Sequence, residues 1–250
     1  MASNQRVVLL PVMVYVVMVP VICIWLWAVA YLMSIGTPVY KPNSFTGSMT
    51  YDNYIIYLFL FMLFGLIWII ALMSAIEKFT IAATTCMWYF SGQGSDSNQK
   101  DSDVALNLGL RWAIFYHLGS LAFGSFLIAV CTMIKIIFEF FAYKAEKSGA
   151  NANPMVKCFI CCARCMIWAL DAYIKFMNKN AYIQIALHNN NFCQSAQAAF
   201  YLTVRHAGRF TASSIVGAMI SLLGKGCLIA FNVWICLLLI PKLGADIKNV

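Results

Sequence analysis

The sequence predicts an all-α, polytopic transmembrane helical protein with four to five membrane segments and one amphipathic or re-entrant element. The 250-residue chain is 62 % hydrophobic and 10 % charged, with a mean hydropathy of +0.79, whereas soluble domains are about half apolar and about a quarter charged. Several uncharged runs are long enough to cross a hydrocarbon core of about 30 Å as helices. The run from Ala113 to Ile134 also contains recurrent small residues, which let helices pack closely in lipid.

The first two predicted spans flank a polar loop. Residues 7–33 carry no charge and form the first span. The loop 36–53 contains Pro38, Pro42 and Gly47, which are typical of turns. Residues 54–78 form the second span, and the apolar character continues to Phe90, so we expect one long helix or a helix broken near Glu77.

The third span, residues 113–140, follows the solvated loop 91–103. We expect its helix to open at Val104 with Asp103 as the N-cap and to continue to about Tyr143. The small residues Gly119, Ala122, Ser125 and Ala129 recur at helical spacing. We interpret them as a seam for contact with another helix, or as a seam that also lines a solute path near Tyr116 and His117.

Residues 144–212 contain eight of the seventeen basic residues, which favours a cytoplasmic location. Within them, residues 155–177 predict an amphipathic helix interrupted by charges. Two shorter pieces, 181–187 and 192–204, flank the polar break 188–191, a pattern typical of a re-entrant or discontinuous element in the region 155–204.

The last predicted span covers about residues 211–240. Gly224, Lys225 and Gly226 interrupt it, and Pro241 is expected to end it. We expect the whole chain, 1–250, to form a single membrane domain.

Composition and motifs exclude several function classes. The net charge of +8 would suggest nucleic-acid binding in a soluble protein, but here the basic residues lie in loops and set membrane topology, so no nucleic-acid partner is predicted. The sequence has no phosphate-binding glycine loop, no HExxH and no Gly-x-Ser-x-Gly motif. It therefore predicts a protein that is not an enzyme and that uses no cofactor.

Four of the ten cysteines, Cys158, Cys161, Cys162 and Cys165, lie close together in the sequence. On a continuous helix they share one face, with the outer pair about 10 Å apart along the axis. One zinc ion cannot reach all four without breaking the helix, so no metal site is predicted. Lipidation by reversible palmitoylation and plain packing both remain open.

Two motifs resemble one known family. The stretch YHLGSLAFGSFLI (residues 116–128) and the segment LDAYIKFMNKNAYIQIALHNNNFCQSAQAAF (residues 170–200) closely resemble the choline transporter-like family. The cysteine-rich run before Trp168 and the Leu223-Gly224-Lys225 tripeptide are also similar to that family. The resemblance implies a polytopic transporter of choline or ethanolamine that supports phospholipid synthesis, in a longer chain with about ten spans. It also places the loop matching residues 34–53 outside the cell.

A quaternary ammonium ion is best bound by aromatic faces, at about 0.5–2 kcal/mol each. Candidate walls of a choline site are therefore Trp68, Trp88, Tyr89, Trp112 and Tyr116, with His117 beside them. The alternative for Trp88, Tyr89 and Trp112 is anchoring at the membrane interface. Trp68 lies deeper in its span and is the stronger candidate.

Three charged residues lie at or near membrane depth, where ionisable groups are costly. Glu77 is a candidate counter-charge for the substrate, and Lys78 a candidate ion-pair or gating residue; the alternative is that both mark the end of the span at the lipid headgroups. Lys225 matches a lysine of the family. We interpret it as an ion-pair partner, as a gate, or as a snorkelling side chain.

The sequence leaves two functions and two locations open. The first function is transport of a choline-like cation by alternating access, at a site between spans 54–78, 113–140 and 211–240. The alternative, favoured by the short length, is a transport-inactive relative that acts as an accessory subunit with other membrane subunits. The lipid bilayer is the surrounding medium in both cases, and the membrane is either the plasma membrane or the mitochondrial inner membrane.

Overall fold

The prediction of an all-α membrane protein is confirmed. The structure, a computed structural model, describes residues 5–39, 48–91, 102–147 and 154–247. Four of the described helices are long and apolar enough to cross a membrane, in the stretches Leu9–Met33, Asn53–Phe90, Leu118–Lys147 and Ala207–Leu237. They correspond to the four predicted spans.

The elements follow one another in a simple order. Helix α1 (Gln5–Met33) leads to two short antiparallel strands, β1 (Thr37–Val39) and β2 (Ser48–Thr50), and then to α2 (Asn53–Ser91). Helix α3 (Ser102–Arg111), a π-helical turn (Trp112–Tyr116) and α4 (Leu118–Lys147) come next. Helices α5 (Pro154–His188), α6 (Phe192–Arg205) and α7 (Ala207–Ile247) complete the chain.

The chain divides into two compact units, residues 1–199 and 200–250. In the first unit, α2 packs against α1, α3, α4 and α5, and α4 also packs against α5. Its core is built from α2, the π-helical turn, α4, α5 and the start of α6, and the buried apolar side chains are Ala75, Phe79, Ala83, Ala113, Leu121, Ala181, Tyr182, Ile185 and Phe192. The second unit contains α7. The prediction of a single membrane domain stays a prediction.

Helix α2 is continuous over its 39 residues, as one of the two sequence-based alternatives proposed. Glu77 and Lys78 do not break it, because neither side chain prevents backbone hydrogen bonding. The buried Thr80 and Thr84 hydroxyls donate to the carbonyl oxygens of Ile76 and Thr80, each at 2.8 Å, so both hydroxyl groups are paired within α2.

The loop 36–53 and the third span differ from the prediction. The loop contains the strand pair β1–β2, in which Thr37 pairs with Thr50, while Pro42 and Gly47 lie outside the described residues. The helix expected from Val104 begins at Ser102, so Asp103 lies inside it and is not the N-cap. The expected continuous helix is interrupted by the π-helical turn, whose bond from His117 N to Trp112 O (3.0 Å) spans five residues.

Two further expectations are wrong in their boundaries. Residues 155–177 and 181–187 belong to one helix, α5, because the intervening residues 178–180 pair their backbones helically; only the break at 189–191 is real. The last helix continues through the Gly224–Gly226 stretch and past Pro241 to Ile247. A proline interrupts one backbone hydrogen bond, and membrane helices tolerate this more readily than soluble ones.

Helices α4 and α5 run antiparallel along each other. Glu139 pairs with Arg164, Lys135 lies 3.7 Å from Asp171, and the Gly124 carbonyl accepts a hydrogen bond from Asn178, so residue numbers fall on α4 as they rise on α5. The two segments that carry the family resemblance therefore pack directly against each other. Two of the charges that interrupt the apolar pattern of α5, those of Arg164 and Asp171, face oppositely charged side chains of α4 and are partly neutralised there.

Gly124 is the small residue at which α4 and α5 meet most closely. A Cβ atom on Gly124 would lie 2.5 Å from the Tyr182 hydroxyl oxygen and 2.7 Å from the Phe192 ring. The predicted seam of small residues lies beside this contact, and its two ends differ in burial. Ser125 and Ala129 are fully buried, whereas Gly119 has open space around it.

Candidate substrate-binding site

A cavity of about 400 Å³ lies where α2, the π-helical turn and the C-terminal end of α5 meet. Four aromatic rings line it, from Phe79, Trp112, Tyr116 and His117. The opposite wall consists of the apolar residues 185–187, and Asn189 adds a polar side chain. The cavity is thus a mainly aromatic pocket with a small number of polar groups, which is typical of small-molecule sites.

The π-helical turn places three of the rings. Because its hydrogen bond joins residue 112 to residue 117, the turn brings His117 over Trp112, which a regular α-helix would not do. Tyr116 is 75 % exposed and available to a ligand, whereas Phe79 is fully buried behind the site. The Phe79 and His117 ring centroids are 5.1 Å apart, so the two rings support each other.

The position of Asn189 in the cavity wall depends on the way α5 ends. Asn189 has a φ of +56°, a left-handed conformation that asparagine tolerates better than most residues. Its backbone N–H donates to the Ile185 carbonyl at 2.9 Å and closes the last helical turn. This ending turns the chain at 189–191 and leaves Asn189 in the wall of the cavity.

A prediction follows for Asn189. Replacing it with valine should destabilise the end of α5, because a β-branched residue is a genuine outlier at positive φ, at a cost of about 1–2 kcal/mol. Replacing it with glycine should leave the thermal stability nearly unchanged, because glycine adopts this conformation freely. Thermal unfolding of the purified variants measures both, and equal stability for the two would contradict this role of the backbone.

The structure brings together some of the predicted substrate-binding residues and separates others. Trp112, Tyr116 and His117 share the cavity. Trp68 lies eleven residues before Phe79 on α2, which is about 16 Å along the helix. It packs on Phe64 and Phe126 and donates its indole N–H to the Ala122 carbonyl at 3.2 Å, so its contacts are those of a helix-packing residue.

The charged candidates lie outside the aromatic cavity. Glu77 is two residues from Phe79 and is therefore rotated by about 200° around α2; it is not among the residues that line the cavity. Lys78 lines a separate groove of about 400 Å³ with Lys179 on α5. Lys225 is exposed on α7, in the second unit.

The remaining candidate residues lie away from the aromatic cavity. Cys158, Cys161, Cys162 and Cys165 are all exposed on α5. Tyr89 packs edge-on against Phe90. No group of three or more potential metal ligands occurs within the described part of the chain.

Sequence reasoning missed Phe79 and Asn189. Phe79 stands in a long apolar run in which no periodicity separates a cavity wall from a lipid-facing side chain. Asn189 is one of three consecutive asparagines, and only the positive φ distinguishes it from the other two. The only sequence signal for Asn189 was the polar break 188–191 in which it lies.

Comparison with known proteins decides the family. The family model described as plasma-membrane choline transporter matches residues 1–247. The chain belongs to this choline transporter family. It is therefore an integral membrane protein of a transporter family.

Individual relatives agree with the family match. The chain is similar to choline transporter-like 2 of Anopheles gambiae, with 29 % identity over 90 % of the chain and 33 % of the relative. It is also similar to choline transporter-like protein 5-A of Danio rerio (30 %, covering 86 % of the chain and 35 % of the relative) and to choline transporter-like protein 2 of Bos taurus (35 %, covering 72 % and 24 %). The chain spans about a third or less of the length of these relatives.

Proposed function

We propose that this chain binds choline, or a closely related amine, in the aromatic cavity and takes part in its transport across the membrane. The observation that supports the proposal is the convergence of four aromatic rings from α2, the π-helical turn and its C-cap around one cavity. The names of the relatives point to the same substrate, and the family description favours the plasma membrane over the mitochondrial inner membrane.

The chemistry of the cavity suits a quaternary ammonium ion. Such an ion has no N–H to donate, so hydrogen-bond acceptors cannot hold it, whereas aromatic faces attract its diffuse positive charge. Trp112, Tyr116 and His117 offer such faces, and Phe79 closes the back of the pocket. The Asn189 side-chain amide can exchange hydrogen bonds with the hydroxyl group of choline. A primary amine such as ethanolamine gains less from aromatic faces, because its charge is better solvated by water.

No carboxylate is present among the described residues that line the cavity. The proposal therefore differs from the sequence-based one in the source of the cation affinity. The aromatic rings supply it directly, and Glu77 can act only at longer range. Neutralising Glu77 should accordingly change choline affinity less than removing one ring.

We expect Trp112→Ala to weaken choline binding about 2- to 30-fold, because the lost cation–π contact is worth about 0.5–2 kcal/mol. Trp68→Ala is the matched control. It removes the same side chain from the contact between α2 and α4 and should lower thermal stability without changing choline affinity. Equilibrium binding of radiolabelled choline to the purified chain measures both affinities. The opposite ranking of the two variants would refute the assignment of the site.

Choline uptake into proteoliposomes tests transport itself. A transport-competent chain should take up choline above empty vesicles, and Trp112→Ala should reduce the uptake at low choline concentration. The second candidate function is that of an accessory subunit in a larger membrane assembly. It predicts uptake indistinguishable from empty vesicles even where choline still binds.

We also propose that α5 crosses the membrane, although it is not among the four helices apolar enough by composition, because it packs antiparallel along α4. From Glu139 to His117, α4 rises about 33 Å, and α5 follows it from Arg164 to Ile185 over the same distance. This would be the fifth segment. With the loop 34–53 outside, as the family resemblance implies, α2 and α4 would bring residue 147 outside, and α5 would return Arg205 and Arg209 to the cytoplasmic side, where basic residues are favoured. Impermeant labelling of single cysteines placed at Lys147 and Asn191 should reach them from opposite sides. Labelling from the same side would contradict the crossing.

A further inference from the structure

A second cavity of about 510 Å³ lies between α4 and α5, at the end of α4 far from the aromatic pocket. Its charged lining residues are Lys135, Glu139 and Arg164. Glu139 is 22 residues from His117, about 33 Å along the helix, which matches the thickness of a hydrocarbon core. The two cavities therefore lie near opposite boundaries of the membrane.

The charged groups of this cavity keep unused hydrogen-bond donors. The Arg164 guanidinium donates to Glu139 through Nε (2.9 Å) and Nη2 (2.8 Å), which leaves three of its five N–H donors without a partner among the described residues. The Lys135 ammonium is 3.7 Å from Asp171, too far for a hydrogen bond, and its side chain is 39 % exposed. Two cations and one carboxylate line the cavity, and the second carboxylate of the cluster, Asp171, lies beside Lys135.

The rest of the lining is apolar and extends toward the middle of the span. Ile167, Trp168 and Ala169 follow Arg164 on α5 in the direction of Asn178, and Phe138 lies beside them on α4. Trp168 is 64 % exposed at this level, where tryptophan is typical of the boundary between headgroups and acyl chains. Arg164 and Glu139 thus form the charged end of the cavity, and the apolar wall begins beside them; Lys135, which contacts Asp171, lies further toward the middle of the span.

We propose that this cavity binds a glycerophospholipid through its phosphodiester group. The free edge of the Arg164 guanidinium holds the phosphate oxygens, Lys135 adds a second positive charge along the cavity, and one acyl chain lies along Phe138, Ile167 and Trp168. Arginine suits this task because its planar fork matches phosphate geometry while it keeps the bond to Glu139. The site is independent of choline binding in the aromatic cavity.

Native mass spectrometry of the purified full chain tests the proposal, with dioleoylphosphatidylglycerol as the probe. The parent should retain a bound phospholipid, and the double variant Lys135→Met/Arg164→Gln should bind it at least tenfold more weakly. Lys144→Gln/Lys157→Gln is the matched control. It also removes two positive charges from α4 and α5, but neither residue lines the cavity, so binding should be unchanged.

Further measurements distinguish a phosphate contact from loss of the ion pair between Glu139 and Arg164 and from binding through the acyl chains alone. Glu139→Gln breaks the same ion pair as Arg164→Gln but leaves both cations, so it should retain the lipid. Loss of lipid in Glu139→Gln as well would show that the ion pair between α4 and α5 matters and not a phosphate contact, and it would overturn the proposal. Equal retention of dioleoylglycerol, which lacks the phosphate, or full displacement of the lipid by inorganic phosphate, would also overturn it.

Discussion

Gly124→Leu should lower the thermal stability of the protein more than any other single substitution in the first unit. The new side chain would have to occupy the space of the Tyr182 hydroxyl and the Phe192 ring, which lie 2.5 and 2.7 Å from an ideal Cβ position. Overpacking of this kind costs about 1–3 kcal/mol and occasionally more. It would also separate the Gly124 carbonyl from the Asn178 amide, whose hydrogen bond of 2.7 Å is buried. We expect a loss of folded protein in size-exclusion chromatography and a clear drop in melting temperature.

Gly119→Leu is the matched control for this substitution. Gly119 lies on the same helix, five residues earlier, and a Cβ there meets nothing within 4 Å. The two changes have the same effect on helix propensity and on hydrophobicity, so only the contact with α5 distinguishes them. If both variants melted at the same temperature, the close approach of α4 and α5 at Gly124 would be disproved.

Asp171→Asn should have the second-largest effect on stability. Asp171 is buried, and its Oδ2 atom accepts a hydrogen bond from Lys175 at 2.8 Å and lies 3.7 Å from Lys135. Removing one partner of a buried ion pair costs about 3–5 kcal/mol. Asp171→Asn removes the buried charge itself and leaves two lysine side chains that are 52 % and 39 % exposed, so water screens them and we expect a smaller loss of about 1–2 kcal/mol. Thermal unfolding of the purified variant measures the loss.

A compensating variant separates charge balance from packing. In Asp171→Asn/Lys175→Gln the unpaired cation on α5 is removed together with its partner, so part of the lost stability should return. Glu139→Gln is the contrasting case, because its side chain is 43 % exposed and its pair with Arg164 lies in contact with solvent or headgroups. We expect a smaller shift there. No recovery in the double variant would show that Asp171 acts by its shape and not by its charge.

The spans were predictable because their signal is local. An uncharged run of more than twenty residues specifies a membrane helix regardless of its neighbours, and three of the four predicted spans contain one. All four, including the span interrupted by Lys225, agree with the four candidate spans. The continuity of α5 was not predictable in the same way. Lys157, Arg164, Asp171 and Lys175 interrupt its apolar pattern. Only the structure shows that Arg164 and Asp171 face Glu139 and Lys135 on α4, and that Lys175 pairs with Asp171.

The candidate site was partly predictable for a similar reason. Aromatic residues near a span end mark possible cation sites, and this pattern identified Trp112, Tyr116 and His117 before their common cavity was known. Trp68 is also an aromatic residue in a predicted span, but its environment differs, because its indole forms part of the contact between α2 and α4. The π-helical turn has no sequence signature that separates it from an α-helix, and it determines which rings converge.

Photolabelling locates the substrate site most directly. The purified chain is irradiated with a photoreactive quaternary ammonium analogue of choline, with and without excess choline, and the labelled peptides are sequenced. Choline-protected label should appear on residues 112–117 and 185–189, which form the walls of the aromatic cavity. Choline-protected label on Trp68 or Glu77, with none on residues 112–117, would contradict the aromatic cavity as the binding site.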